Sequence, residues 1–326
     1  MAQFRLLEAA DVAQILGAFG LALDTYLSHD SIAAGTINTN IRVETTVGRR
    51  FLRINEGKST DDVAREAAIV GHASAAGVPT PAPYTATTGE PFALWRGEIV
   101  SLFPWLPGRT LARADVTAAQ ARQVGRALGR LHRAGTTFPD HRPSRYEPAE
   151  INARVERIAS VASSDALLPG AVARLRPELA ALARERVTDL PTGLIHGDLF
   201  IDNVLFDGDV LVALLDFEQA SWGRLAYDLA VTTLAFGFGR DDFRPAIVRG
   251  LFEGYSAERP LTEAERTGFG QELRFVACRF AVTRITDVYL KRGAGAAPGK
   301  DFRRYLLRLT RLHEHLKAGD GALDPP

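Results

Sequence analysis

Five polar side chains, His196, Asp198, Asn203, Asp216 and Glu218, interrupt two apolar runs, LIHGDLFIDNVLF at 194–206 and VALLDFEQA at 212–220. Each run is short enough to be a buried strand, and Asp207-Gly208-Asp209 between them has the composition of a tight hairpin turn. The polar groups therefore stand at strand ends. A carboxylate in such a place is costly unless it meets a cation or a proton, because an unpaired buried charge is strongly disfavoured. The stretch is thus equipped for cation binding and proton transfer.

The spacing narrows the chemistry. His196-Gly197-Asp198 precedes Asn203 by the interval of H-x-D-x-x-x-x-N phosphoryl-transfer loops. In those loops the Asp accepts the proton of the attacking hydroxyl and the Asn holds magnesium, while an Asp in a downstream D-F-G-like triplet holds magnesium on the nucleotide phosphates. Asp216-Phe217-Glu218 occupies that second position. HGD in place of HRD, and DFE in place of DFG, point away from eukaryotic protein kinases. On these motifs the chain resembles the aminoglycoside phosphotransferase and choline kinase-like superfamily of small-molecule kinases, from about residue 30 to about residue 315. Within that superfamily its looser similarity is to the bacterial homoserine kinases of the same fold.

The resemblance implies an α+β, bilobal protein kinase-like fold. A small N-terminal lobe with a mixed β-sheet, residues 1–104, would bind nucleotide, and a larger, mainly helical lobe, residues 105–326, would carry catalysis and the acceptor. It implies ATP and Mg2+ as cofactors, Asp198 as catalytic residue, Asn203 and Asp216 as metal ligands, and His196 and Asp228 as supports of the loop. The acceptor would be the hydroxyl of a small molecule, L-homoserine on the closest resemblance, with choline, an aminoglycoside or another alcohol as alternatives. A nucleotide-binding pseudokinase is the reading from another class, and the intact Asp198, Asn203 and Asp216 speak against it.

Several upstream elements must position this stretch. Residues 8–20 have the apolar spacing of an amphipathic helix, and residues 41–53 alternate as a hairpin closed around Gly48. Gly35, Thr36 and Asn38 stand at the start of that hairpin, where the fold places its phosphate-covering loop; small residues let backbone amides approach phosphate oxygens. Arg53 stands where the family usually has a lysine, and Glu66, on a helix over 61–77, is expected to pair with it. The run EIVSLFPWLPGRTL at 98–111 corresponds to the hinge, with the main chain of Ser101, Leu102 and Phe103 meeting adenine.

Beyond the hinge, a helix over 117–134 should pack beneath the catalytic loop, and its His132 reads as a core histidine, since no carboxylate partner is apparent nearby. Two Arg/Glu-rich helical segments fill 150–190, their charges reading as a solvated face. The apolar helix over 273–290 carries Arg279 and Arg284, candidates for holding an acceptor carboxylate. The terminal DGALDPP is expected to be disordered.

The bulk numbers exclude other classes. Lys+Arg and Asp+Glu balance at 39 each, so no global field recruits nucleic acid or an anionic membrane. The single cysteine allows no intrachain disulfide and no cysteine-based zinc site. No apolar run is long enough to cross a bilayer, and the amphipathic N-terminus lacks a signal-peptide core, so the expected location is the cytoplasm. Nothing in the sequence sets an oligomeric state.

Overall fold

A computed structural model describes residues 6–32, 38–293 and 298–326. The chain divides into two compact units, the first running to Arg109 and adding 205–207 and 212–218, the second comprising 110–204, 208–211 and 219–326.

The first unit opens on helix α1 (Ala9–Ala18), whose Val12, Ile15 and Leu16 are buried at helical spacing. A five-stranded sheet follows, built from β1 (Tyr26–Ile32), β2 (Thr39–Thr45), β3 (Arg50–Ile54), β4 (Ala93–Trp95) and β5 (Glu98–Pro104) in the order β1-β2-β3-β5-β4. The strict inside–outside alternation of β2 points Ile41 and Val43 into the core with Leu52, Ile54, Val100 and Leu102. The sheet, expected to be mixed, is antiparallel throughout. The β4–β5 hairpin turns the chain back after helix α2 (Thr60–Ala75), so β5 returns beside β3 in the opposite sense. The later segments join this unit through main-chain bonds. Arg109 and Phe206 each donate an N–H to the other's carbonyl at 2.9 Å, and Leu214 N–H donates to Pro79 O at 2.7 Å.

The second unit is mainly helical, with α3 (Ala118–Gly135), α4 (Pro148–Ala162), α5 (Leu168–Glu185), α6 (Leu225–Thr232), α7 (Pro245–Glu258), α8 (Glu263–Arg284) and a C-terminal helix Arg303–Ala318. Its strands β6 (Thr192–Ile195) and β9 (Ser221–Arg224) pair antiparallel. The hairpin read around Asp207-Gly208-Asp209 forms from β7 (Val204–Asp207) and β8 (Val210–Leu214). Helices α3 and α7 meet backbone to backbone. A Cβ at Gly125 would lie 2.1 Å from Leu251 O, and one at Gly254 would lie 1.9 Å from Arg122 O, so no other residue fits either place.

Two segments differ from expectation. The helix placed at 273–290 begins ten residues earlier, at Glu263, where Thr262 caps it by accepting the Glu265 N–H, and after Arg284 it widens into a π-turn over Ile285–Tyr289. The terminal segment is packed rather than disordered: Leu323 is 3% exposed, and His315 Nδ1 lies 2.6 Å from the Asp320 carboxylate. Two apolar residues of the tail, Leu323 and Pro325, are buried and seat it. Among the described residues no helix is long and apolar enough to cross a membrane.

Candidate active site

In the second unit, the chain leaves β6 at Ile195, passes through residues 196–200 and makes a single 3-10 turn, Ile201–Asn203, before β7. The interval read in the sequence closes on itself here. Asn203 Nδ2 and the Phe200 N–H both donate to the main-chain carbonyl of Asp198, each at 2.9 Å, which leaves the Asp198 carboxylate free of that bracing. Gly197 has φ +76°, and a Cβ on it would come 2.8 Å from Gln219 O. That close approach is why glycine stands where protein kinases carry arginine. The Asp198 side chain is 34% exposed, with Arg279 Nη1 at 3.7 Å. Burial pushes the Asp198 carboxyl above its ordinary range, against the pull of Arg279 and His196.

Asp228, fully buried on α6, braces the loop from behind. Its carboxylate accepts the main-chain N–H of His196 at 2.7 Å and of Gly197 at 2.8 Å. His132 is buried, as expected, but it has the carboxylate partner that its sequence neighbourhood lacks: Nε2 lies 3.0 Å from Asp228 and Nδ1 2.7 Å from the Tyr255 hydroxyl. Burial pushes the Asp228 carboxyl up, yet the bonds from His132 and Gly197 outweigh it and hold the group ionised. Burial holds His132 below its usual value despite Asp228. On acidification the unfolded chain therefore takes up the His132 proton first, and stability falls as pH drops below about 6.5. Asp228 adds a loss of the same sign at lower pH. His132→Phe should cost about 3–5 kcal/mol by stranding a buried carboxylate, and should erase the step near pH 6.5. Urea midpoints between pH 5 and 8 check this; a variant keeping the wild-type slope contradicts it.

In the first unit, Arg53 Nη2 and Glu66 Oε1 pair at 2.9 Å, the ion pair read from the sequence. The pair belongs to a larger network that sequence reasoning missed. Lys58 Nζ lies 2.9 Å from Glu66 Oε2 and 2.7 Å from Glu218 Oε1, and Asn38 Nδ2 donates to Glu218 Oε1 at 2.9 Å. Burial raises the Glu66 carboxyl, but Arg53 and Lys58 together bring it below its usual range. One signal was available: Lys58 is one of only four lysines among 39 basic residues, in a chain that otherwise uses arginine. Asp216, exposed at the end of β8, has φ +63°, a left-handed conformation that Asp and Asn tolerate better than other side chains. The Ser101 hydroxyl accepts from Asn55 Nδ2 at 2.9 Å, the Leu102 carbonyl accepts the Tyr84 N–H at 2.7 Å, and the Phe103 ring lies 5.1 Å from the Arg53 guanidinium. Gly35 and Thr36 lie outside the described residues.

The two arginines of α8 do different things. Arg279 is 3% exposed and lies over two rings, Tyr146 at 3.9 Å and Phe280 at 3.8 Å, beside Asp198. Arg284 is half-buried over the Tyr305 ring at 4.4 Å. Among the described residues no three His, Cys, Asp or Glu side chains cluster as a ready cation site. Magnesium does not need one, since it commonly takes one or two protein oxygens together with substrate phosphates and water. Each assigned residue offers such an oxygen: Asp216 is a carboxylate, and Asn203, its Nδ2 engaged by Asp198 O, keeps its Oδ1.

The pattern of the phosphotransferase enzyme family matches residues 30–261, more than half of the chain. The chain belongs to this family. It is an ATP-dependent small-molecule kinase. A homoserine kinase of Methylobacterium radiotolerans is 35% identical over 316 residues, 95% of each chain. One of Nitrobacter hamburgensis is 34% identical over 312 residues, 95% of this chain and 94% of the relative. Among solved structures, a spectinomycin phosphotransferase bound to AMP superposes with a TM-score of 0.72 at 15% identity, covering 97% of this chain and all of the other, which supports the kinase-like α+β fold.

Proposed function

We propose that this kinase phosphorylates the side-chain hydroxyl of L-homoserine, in the cytoplasm. The observation that carries the reading is full-length similarity to homoserine kinases at about a third identity. The acceptor hydroxyl oxygen attacks the γ-phosphorus of ATP, the new O–P bond forms as the bond to the β-phosphate oxygen breaks, and ADP leaves. Asp198 takes the hydroxyl proton on its carboxylate, which Arg279 favours in the ionised form. When bound, magnesium neutralises charge on the β- and γ-phosphates; Asp216 and Asn203 are the residues assigned to hold it. Arg53, fixed by Glu66, meets the nucleotide phosphates as a planar fork where the family usually has a point charge. Gly35, Thr36 and Asn38 cover those phosphates, the main chain at Ser101, Leu102 and Phe103 meets adenine, and Arg279 and Arg284 face the acceptor.

An acceptor panel tests the reading. ADP release with L-homoserine, L-serine, choline and kanamycin should give the highest kcat/KM for L-homoserine. L-serine, one methylene shorter, should fall roughly 10- to 200-fold behind. Choline or kanamycin as the far better acceptor refutes the proposal.

A further inference from the structure

Lys58 stands in the first unit on a fixed turn between β3 and α2. Asn55 Nδ2 ties that turn to β5, donating to Ile99 O at 3.2 Å and to Ser101 Oγ at 2.9 Å. On the other side Glu56 Oε1 accepts the Thr39 hydroxyl. Gly57, at φ +70°, bends the chain so that residue 58 comes just before Ser59, the cap of α2. A lysine there meets the positive end of the helix dipole, so the helix itself gives its charge no support.

Two carboxylates hold the charge instead. Nζ lies 2.9 Å from Glu66 Oε2 and 2.7 Å from Glu218 Oε1, with the side chain 14% exposed. An ammonium has three donors, so one N–H remains. The Glu218 oxygen that takes Lys58 also accepts Asn38 Nδ2 at 2.9 Å. Nζ therefore sits where three parts of the unit converge: the phosphate-covering stretch through Asn38, α2 through Glu66, and the Asp216-Phe217-Glu218 triplet through its last residue.

Arg53 takes the other oxygen of Glu66, and its guanidinium lies 5.1 Å from the centre of the Phe103 ring. Its Nε is buried and has no acceptor among the described residues. Arg53, Lys58, Glu66 and Glu218 carry two charges of each sign. The network is neutral, yet each of its cations keeps an N–H to spare, which suits the arrival of an anion.

We propose that Lys58 supplies the point charge that meets the β- and γ-phosphates of ATP beside Asp216, while Arg53 works from the Phe103 side. A lysine paired with a helix glutamate is how kinases hold a phosphate-binding cation. Here the lysine comes from the turn after β3 rather than from the strand, and the strand position carries Arg53. The inference rests on the nucleotide reading given above and adds a phosphate ligand to it.

Calorimetry in magnesium, with adenosine and with the non-hydrolysable analogue AMP-PNP, separates this role from a structural one. In Lys58→Met the Kd for AMP-PNP should rise roughly 10- to 150-fold, the usual loss for hydrogen bonds to charged groups, while that for adenosine changes less than about threefold. Lys58→Met also strips Glu218 of its cation, so the double variant Lys58→Met, Glu218→Gln removes one charge of each sign. If neutralising Glu218 were the whole task of Lys58, the double variant would bind AMP-PNP as tightly as Glu218→Gln alone. It should instead stay roughly tenfold or more weaker. An unchanged Kd for AMP-PNP in Lys58→Met, a parallel loss of adenosine, or recovery in the double variant overturns the assignment and leaves the kinase reading standing. Should Lys58→Met not fold, the double variant set against Glu218→Gln decides. A wild type that binds AMP-PNP no tighter than adenosine removes the phosphate site itself, and this inference with it.

Discussion

Asp198→Asn should abolish turnover while nucleotide binding survives: kcat falls roughly 10^2- to 10^4-fold, the usual contribution of a positioned general base. The reason lies in how the loop is held. Asn203 and Phe200 grip the main-chain carbonyl of residue 198, and Asp228 grips the amides of His196 and Gly197, so none of these bonds involves the carboxylate that is replaced. Asparagine has the same shape and cannot take the proton. Arg279 loses an ionic neighbour at 3.7 Å but keeps its contacts with Tyr146 and Phe280. Steady-state rates alongside nucleotide titration by calorimetry check both halves. A variant within a few-fold of wild-type kcat removes Asp198 from the chemistry, and one that no longer binds nucleotide assigns it a different role.

The second large effect belongs to Asp216→Asn, which should lower nucleotide affinity in magnesium and kcat together, by roughly two to three orders of magnitude in kcat/KM. Phosphoryl transfer depends on positioning and on charge neutralisation, so losing the carboxylate proposed to hold the metal should remove stabilisation of the transition state itself. The substitution is clean because of the backbone. At φ +63° most side chains would add strain, whereas Asn tolerates this region about as well as Asp. The comparison to make is nucleotide affinity with and without magnesium. An unchanged magnesium dependence in the variant rejects Asp216 as a ligand.

What could be read in advance was local. The Asp198-to-Asn203 interval shows in sequence because one 3-10 turn and two hydrogen bonds across five residues demand it. The β7–β8 hairpin, the alternation in β2 and the helical spacing of α1 were visible for the same reason. The Arg53–Glu66 pair was reached only through the resemblance. What escaped lies in contacts between distant segments. Lys58 gives no hint of Glu218, 160 positions away, and His132 finds Asp228 only once α3 and α6 are folded. The start of α8 was hidden by Glu265 and Glu272, which look like surface residues but are fully buried on Arg259, Arg186 and Arg224. The Arg/Glu-rich segments at 150–190 do present a largely solvated face, with Glu156, Arg157, Arg174, Arg176, Arg184 and Glu185 exposed; the departure is Glu178, whose side chain is 11% exposed and binds Arg274. At Glu265 and Glu272 a charged residue marks an internal ion pair rather than the surface, because arginine neighbours compensate the buried carboxylate.

Transfer to L-homoserine can be followed on phosphorus itself. Purified protein is incubated with ATP, magnesium and L-homoserine, and the reaction is watched by 31P NMR. The γ-phosphate resonance of ATP should be replaced, one for one with ADP, by a phosphomonoester that disappears when L-homoserine is left out and whose mass is that of O-phosphohomoserine. Conversion of ATP to ADP and inorganic phosphate with no ester, or an ester formed with choline or kanamycin but not with L-homoserine, would contradict it.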